Sequence, residues 1–387
     1  KIRRIFEYCK ARANRKHKEM DGQAAIDALV NLCVPTKTLN QDLSHNFARE
    51  RKEIKELTTR QYRFLSKLRE QKRAMIIGGA GTGKTMLAME KATLLATSGF
   101  RTLFLTYNRN INDWISRQLS EDIDVMTVHK FAGWAFDQAG IKPQRNIDDD
   151  KLGDKIDEAL QYIRHEKPDQ LYDALIIDEA QDFAPTWWLT IPDILISPEE
   201  GILYVFSDDN QKIYRTHREA MPIKTEPYLL NENCRNTQNI HELLLNYITS
   251  DHEVFCDAPV GSPIEIKPAN SDKQIRDATR KILHQLLNKS GIKTSDIVIL
   301  TPVKKNSLWQ TGLKLGNFQI TRDLTNRSDQ YIRVSTIQSY KGLESPIIII
   351  TELDKTHNLE KAQLKRLIYV GLSRASNKVY IIGDLPV

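Results

Sequence analysis

From about residue 74 onward, short uninterrupted apolar runs alternate with stretches whose apolar residues recur at helical spacing. The runs are Ala74–Ile77, Thr102–Thr106, Ala174–Asp178 and Ile202–Ser207. A second set comprises Asp296–Thr301, Ile332–Ser335, Pro346–Thr351 and Lys378–Ile382. Strands that are apolar at nearly every position are covered on both faces, and strands separated by helices pair in parallel. About 90 residues with polar and helical stretches, from Ser207 to Asp296, separate the two sets. The pattern predicts two α/β domains in tandem, and a length of 387 residues suits two domains at roughly 150 residues each. Before them the texture differs. Residues 1–30 are rich in Lys, Arg, Ala and Glu, with Ile2, Ile5, Phe6 and Cys9 at helical spacing, and a second charged helix is expected from about Asp42 to Leu57 beyond Pro35.

Charge sharpens that division. The chain carries 56 Lys+Arg against 50 Asp+Glu, a formal net charge of +6. Residues 1–60 hold 14 of the former and 8 of the latter, so the remaining 327 residues sum to zero. The basic character therefore marks a separate N-terminal element rather than the whole chain. The chain begins at Lys1 inside that basic pattern and reads as a piece of something longer. No apolar run reaches the roughly 18 residues of a membrane span. Cys9, Cys33, Cys234 and Cys256 form no Cys-x-x-Cys pair, which argues against a zinc or iron–sulfur site. So few cysteines fit a reducing, cytoplasmic setting.

The strongest local chemistry is Gly78-Gly79-Ala80-Gly81-Thr82-Gly83-Lys84-Thr85, between an expected strand and an expected helix. Gly78, Gly81 and Gly83 let backbone N–H groups turn inward around phosphate oxygens, and the helix N-terminus adds its positive end. In such a loop Lys84 reaches the β- and γ-phosphates and the Thr85 hydroxyl binds Mg²⁺. A second signal is Leu175-Ile176-Ile177-Asp178-Glu179-Ala180-Gln181-Asp182, an apolar strand ending in carboxylates. Asp178 is read as the partner of Thr85 toward Mg²⁺, and Glu179 as the group that polarises the attacking water. Trp187 and Trp188, which follow, are read as packing residues.

The string Asp178-Glu179-Ala180-Gln181-Asp182 resembles motif II of the UvrD/Rep-like superfamily 1 helicases, and further motifs follow in that family's order. Gln61 resembles the adenine-reading Q motif. Thr106-Tyr107-Asn108-Arg109 resembles motif Ia, and Thr127-Val128-His129-Lys130-Phe131 the Thr-x-His-x-Phe element. Ser207-Asp208-Asp209-Asn210-Gln211-Lys212-Ile213-Tyr214 resembles motif III, and Asn233-Cys234-Arg235-Asn236 stands where motif IV belongs. Thr336-Ile337-Gln338-Ser339-Tyr340-Lys341-Gly342-Leu343-Glu344 resembles motif V, and Tyr369-Val370-Gly371-Leu372-Ser373-Arg374-Ala375 motif VI.

The resemblance implies two RecA-like P-loop NTPase domains, over 57–222 and 223–387, after a basic helical segment at 1–56. The first would carry a reduced 1B-type insertion near 130–170. It implies ATP and Mg²⁺ as cofactors, with one nucleotide held between the domains. Lys84, Asp178, Glu179 and Gln211 would come from the first domain and Arg235 and Arg374 from the second. The two guanidinium groups would stabilise charge on the transferring phosphoryl group. Gly342 and Glu344 would complete the nucleotide site, Glu344 at the ribose. Tyr107, Asn108, His129, Tyr214 and Arg215 are the candidates for a strand-binding face that combines base stacking with phosphate contacts. The implied activity is ATP-driven translocation on single-stranded DNA, 3′ to 5′, with unwinding; RNA stays open as the track. The alternative is an ATP-controlled module that switches a partner nuclease or effector with slow turnover. A nuclease-related domain on the N-terminal side is the expected partner by the same analogy.

Four departures from the family pattern bear on that reading. Cys234 replaces the aromatic that stacks on adenine, Thr216 replaces a Trp, and Gln338 replaces a His. The spacing leaves no room for a large 2B insertion, which bears on strand separation more than on translocation.

Overall fold

A computed structural model describes residues 46–54, 56, 68, 71–142, 148–208, 222–248, 254–326, 328–356 and 358–385. The chain is α/β and builds two sheets. The first contains β1 (Arg73–Gly78), β2 (Thr102–Thr106), β3 (Ile123–Thr127), β4 (Ala174–Ile177), β5 (Ile202–Ser207) and β6 (Tyr228–Leu230). They lie in the order β3-β2-β4-β5-β1-β6, every pair parallel. Successive side chains of a strand point to opposite faces, and here both faces are covered. Ala74 and Ile76 pack with Leu87 and Ala88 of α1 (Lys84–Thr97) and with Ile111 and Ile115 of α2 (Arg109–Ser116). Met75 and Ile77 lie opposite, in a core with Phe131 and Phe136 of α3 (Val128–Ala139) and Ile156 and Leu160 of α4 (Asp149–Glu166). The short α5 (Trp187–Thr190) adds Trp187 and Trp188 to that second core, both buried.

The stretch expected near 130–170 as a reduced 1B-type insertion thus supplies α3 and α4, a covering layer of the first sheet. Pairing of β6 with β1 carries this sheet to Leu230, beyond residue 222. The strand β3 escaped the sequence pattern because it is an edge strand: after Ile123 its four residues are only half-buried.

The second sheet contains β7 (Glu265–Lys267), β8 (Ile297–Thr301), β9 (Lys314–Leu315), β10 (Phe318–Thr321), β11 (Tyr331–Thr336), β12 (Ser345–Thr351) and β13 (Ala375–Ile382). Its order is β7-β13-β12-β8-β11-β10-β9, parallel except for the β9–β10 pair. Val298, Leu300, Ile348 and Ile350 pack against α6 (Gln238–Leu245) and α8 (Lys361–Leu372). Ile297, Ile299, Ile347 and Ile349 face the other way, toward α7 (Asp272–His284).

Helical residues 46–54 dock on this second sheet. Phe47 is buried in the α7-side core, Asn377 donates to Glu50 Oε2 at 2.7 Å, and Arg51 pairs with Asp296 at 3.2 Å. The remainder of the expected basic segment, residues 1–45 and 55, lies outside the described residues. No helix among the described residues is long and apolar enough to cross a membrane.

Candidate nucleotide site between the two sheets

The loop from Gly78 to Gly83 leaves β1 and enters α1 at Lys84. Gly81 and Gly83 have φ of 81° and 78°, a left-handed backbone that favours glycine. A Cβ on Gly81 would also collide with the side-chain oxygens of Asn233 and Asn236. Those two residues hold the loop from the other side. The Cys234 N–H donates to the Gly81 carbonyl at 3.0 Å, and Asn236 donates to the Ala375 carbonyl at 2.6 Å. The Tyr369 hydroxyl accepts from the Ala80 N–H at 2.8 Å. The phosphate-type loop is therefore fastened to the segments before α6 and around α8.

Lys84 Nζ donates to the Gly78 and Gly79 carbonyls at 2.8 Å each and lies 3.4 Å from Asp208 Oδ2. Asp178, at the end of β4, is fully buried, and neither carboxylate oxygen has a hydrogen-bond partner among the described residues. Burial, reinforced by Glu179, pushes its pKa up to about 7 against the pull of the Thr85 hydroxyl and Lys84. A buried carboxylate without a direct donor, beside a threonine hydroxyl at a helix start, fits a hydrated divalent cation. The donor set suits Mg²⁺, which takes few protein ligands and keeps its waters.

Glu179 has φ of 55°, an uncommon value for a residue with a side chain. Its Oε2 accepts from Gln181 Nε2 at 2.6 Å and lies 3.2 Å from Lys341 Nζ, which is also 2.6 Å from Asp182 Oδ2. All three charged side chains are 6% exposed or less. Burial alone would raise Glu179, but Lys341, Lys84 and Arg374 together outweigh it and hold the carboxylate below its ordinary range. Burial raises Asp182 to about 6, against the opposing charge of Lys341. Gln181 continues the network, its Oε1 accepting from the Asp208 N–H at 2.9 Å.

Lys341 follows β11 in the second sheet, so this cluster joins the two halves of the molecule. Arg374 is buried after α8, its guanidinium donating to the Val370 carbonyl and the Ser373 hydroxyl. Burial lowers its pKa while Glu179 acts the other way. Arg235 Nε lies 2.6 Å from Glu344 Oε2, so the two expected nucleotide contacts pair with each other. Gly342 has φ of 82° and presses on Ile111 of α2, which brings the loop after β11 onto the first sheet's helices.

The strand-binding candidates divide. Tyr107 and His129 come together edge to face with ring centroids 5.7 Å apart, and Tyr107 stacks on buried Trp187 at 6.2 Å. Asn108 instead works within the protein. Its Oδ1 accepts from the Asn110 N–H at 2.9 Å, capping α2, and its Nδ2 donates to the Lys341 carbonyl at 3.2 Å. Asn110 adds a bond to the Ser339 carbonyl at 2.7 Å. Gln61, Gln211, Tyr214 and Arg215 lie outside the described residues. Lys341, Asp182, Gln181, Asp208, Asn233, Asn236 and Tyr369 stood inside motif strings without an assigned role. The only signal in the sequence was their place inside those strings; that all seven are buried is visible only in the fold.

Two family models match this chain: an AAA domain over residues 61–217 and a UvrD-like helicase C-terminal domain over residues 331–382. The chain is a UvrD/Rep-like superfamily 1 helicase core. The first match contains the loop, Asp178 and Glu179, and the second contains Lys341, Arg374 and Glu344. No curated protein matches. A solved structure titled "The structure of PRRSV helicase" is similar at a TM-score of 0.42 and 14% identity, over 81% of this chain. The chain spans 55% of that structure's length. The two matched domains support an ATP-hydrolysing enzyme in general.

Proposed function

We propose that this core couples ATP hydrolysis to movement along single-stranded DNA, 3′ to 5′. The observation that supports it most is the convergence of Glu179 and Asp182 from the first sheet on Lys341 from the second, with Arg374 buried alongside. A reaction site shared in this way ties every change at the phosphates to the relation between the halves. We take the halves as two RecA-like domains, dividing after the first sheet is complete.

In this reading Lys84 and the loop N–H groups hold the β- and γ-phosphates. Thr85 and Asp178 hold Mg²⁺, which when bound neutralises charge on those phosphates. Glu179 orients the attacking water and accepts its proton, while Arg235 and Arg374 stabilise charge developing on the γ-phosphoryl oxygens. To do so, Glu179 has to leave Lys341 and Arg235 has to leave Glu344, which then turns to the ribose. Gln211 is expected beside the γ-phosphate. Tyr107 and His129 offer stacking faces to bases.

The test is ATP turnover with no nucleic acid, with single-stranded DNA and with a matched RNA. DNA should raise turnover manyfold, and Lys84→Ala or Glu179→Gln should abolish it. Absence of stimulation by either polymer would sink the motor reading, and stimulation by RNA alone would reassign the track. Displacing streptavidin from one DNA end but not the other would establish polarity.

The ion pair between Glu179 and Lys341 favours one second reading, an ATP-controlled switch for a nuclease or effector on the N-terminal side. It predicts tight ATP-dependent binding with slow turnover and no streptavidin displacement.

A further inference from the structure

A cavity of about 700 Å³ opens between the halves. Its wall includes Thr85 and Met86 at the start of α1, Arg235 and Glu344 from the second half, and Trp114 and Leu343 farther along. A triphosphate anchored at Lys84 and Thr85, with its ribose at Glu344, sends its base into the remaining space. Planar bases bind best against aromatic or apolar faces.

The residue ahead of Arg235 cannot supply such a face, because Cys234 is fully buried against Ala258 and Cys256. Two aromatic side chains line the cavity among the described residues. Tyr340 is only 2% exposed, and its hydroxyl donates to the Glu344 carbonyl. Trp114 is half-buried on α2, three residues after Ile111, against which Gly342 closes. Its neighbours Ile111 and Ile115 are rooted in the core, so α2 is a rigid support for the ring.

We infer that Trp114 is the stacking face for the nucleotide's base, with Met86 and Leu343 completing an apolar slot for a purine nucleoside triphosphate. This rests on the ATPase reading above. Stacking addresses the ring face rather than its edge, so the contribution of Trp114 is shared by adenine and guanine.

The experiment measures binding of Mg-ATP, Mg-GTP and inorganic tripolyphosphate to the full chain, Trp114→Ala and Trp114→Phe by calorimetry. Trp114→Ala should weaken both nucleotides at least about tenfold, the effect expected of losing one base–aromatic stack. Trp114→Phe should stay within about threefold of the parent, and tripolyphosphate affinity should be alike in all three proteins. Nucleotide affinity that survives in Trp114→Ala overturns the inference. So does a matching loss of tripolyphosphate, which would make Trp114 a structural support. Should the parent bind tripolyphosphate but gain nothing from the base, the inference fails while the phosphate site stands. A parent that binds neither ligand overturns the ATPase reading and this inference with it.

Discussion

Replacing Lys341 by methionine keeps an unbranched side chain, one atom shorter, and removes the charge from between two buried carboxylates. Lys341 Nζ lies 2.6 Å from Asp182 and 3.2 Å from Glu179, attractions of about 6 and 5 kcal/mol at an effective dielectric constant of about 20. Desolvation of the ions offsets much of that gross attraction, and removing one partner of a buried ion pair typically costs about 3–5 kcal/mol. For a cooperative unit of about 150–250 residues, such a loss lowers Tm by about 10 °C. The deficit should depend on pH. Asp182, facing Lys341, Glu179 and Asp208, already stands at about 6 because of burial. Without the cation its folded value rises further above the roughly 3.9 of an unfolded chain. The folded variant then holds a proton that the unfolded chain releases, so its stability falls as pH rises through that value. Thermal unfolding of both proteins at pH 5.5, 7 and 8 should show the gap widening with pH. Adding Asp182→Asn to Lys341→Met should recover much of the loss. A variant melting within about 2 °C of the parent at pH 8 would refute the buried cluster as a stabilising joint.

Two further outcomes follow from the same geometry. Gly81→Ala should weaken ATP binding at least about tenfold, because the new Cβ meets Asn233 and Asn236. Gly99→Ala, with a similar φ of 85° but open space around it, should cost only the left-handed strain of about 1–2 kcal/mol and leave ATP affinity intact. Equal effects on affinity would show that backbone strain alone matters. Phe47→Ala should release helical residues 46–54 from the second sheet, with a loss of up to about 3–5 kcal/mol for that docking. Limited proteolysis should then cut near residues 46–56 while the first sheet stays protected; an unchanged digestion pattern would contradict the docking.

The eight apolar runs were legible because a strand covered on both faces needs apolar side chains at successive positions. The strands β3, β6, β7, β9 and β10 lack that signal, being two to five residues long, with all but β10 including exposed or mostly half-buried positions. The phosphate-type loop was legible for a related reason: its glycines, lysine and threonine act on one another within eight residues of chain.

What the sequence by itself determined are the features set by local backbone geometry and continuous burial: the strand runs, the loop and the acidic end of β4. Only the tertiary structure decided which charges share the space between the sheets. Lys341 is 159 residues from Asp182 along the chain, yet it neutralises that carboxylate and Glu179 together. Likewise, Trp114 and Glu344 border one cavity, and Phe47 belongs to the core of the second sheet rather than the first. Spacing along a chain constrains neighbours within a helix turn or a strand pair. Contacts across two packed sheets depend on how both cores close, and burial then strengthens the electrostatics of every group trapped between them.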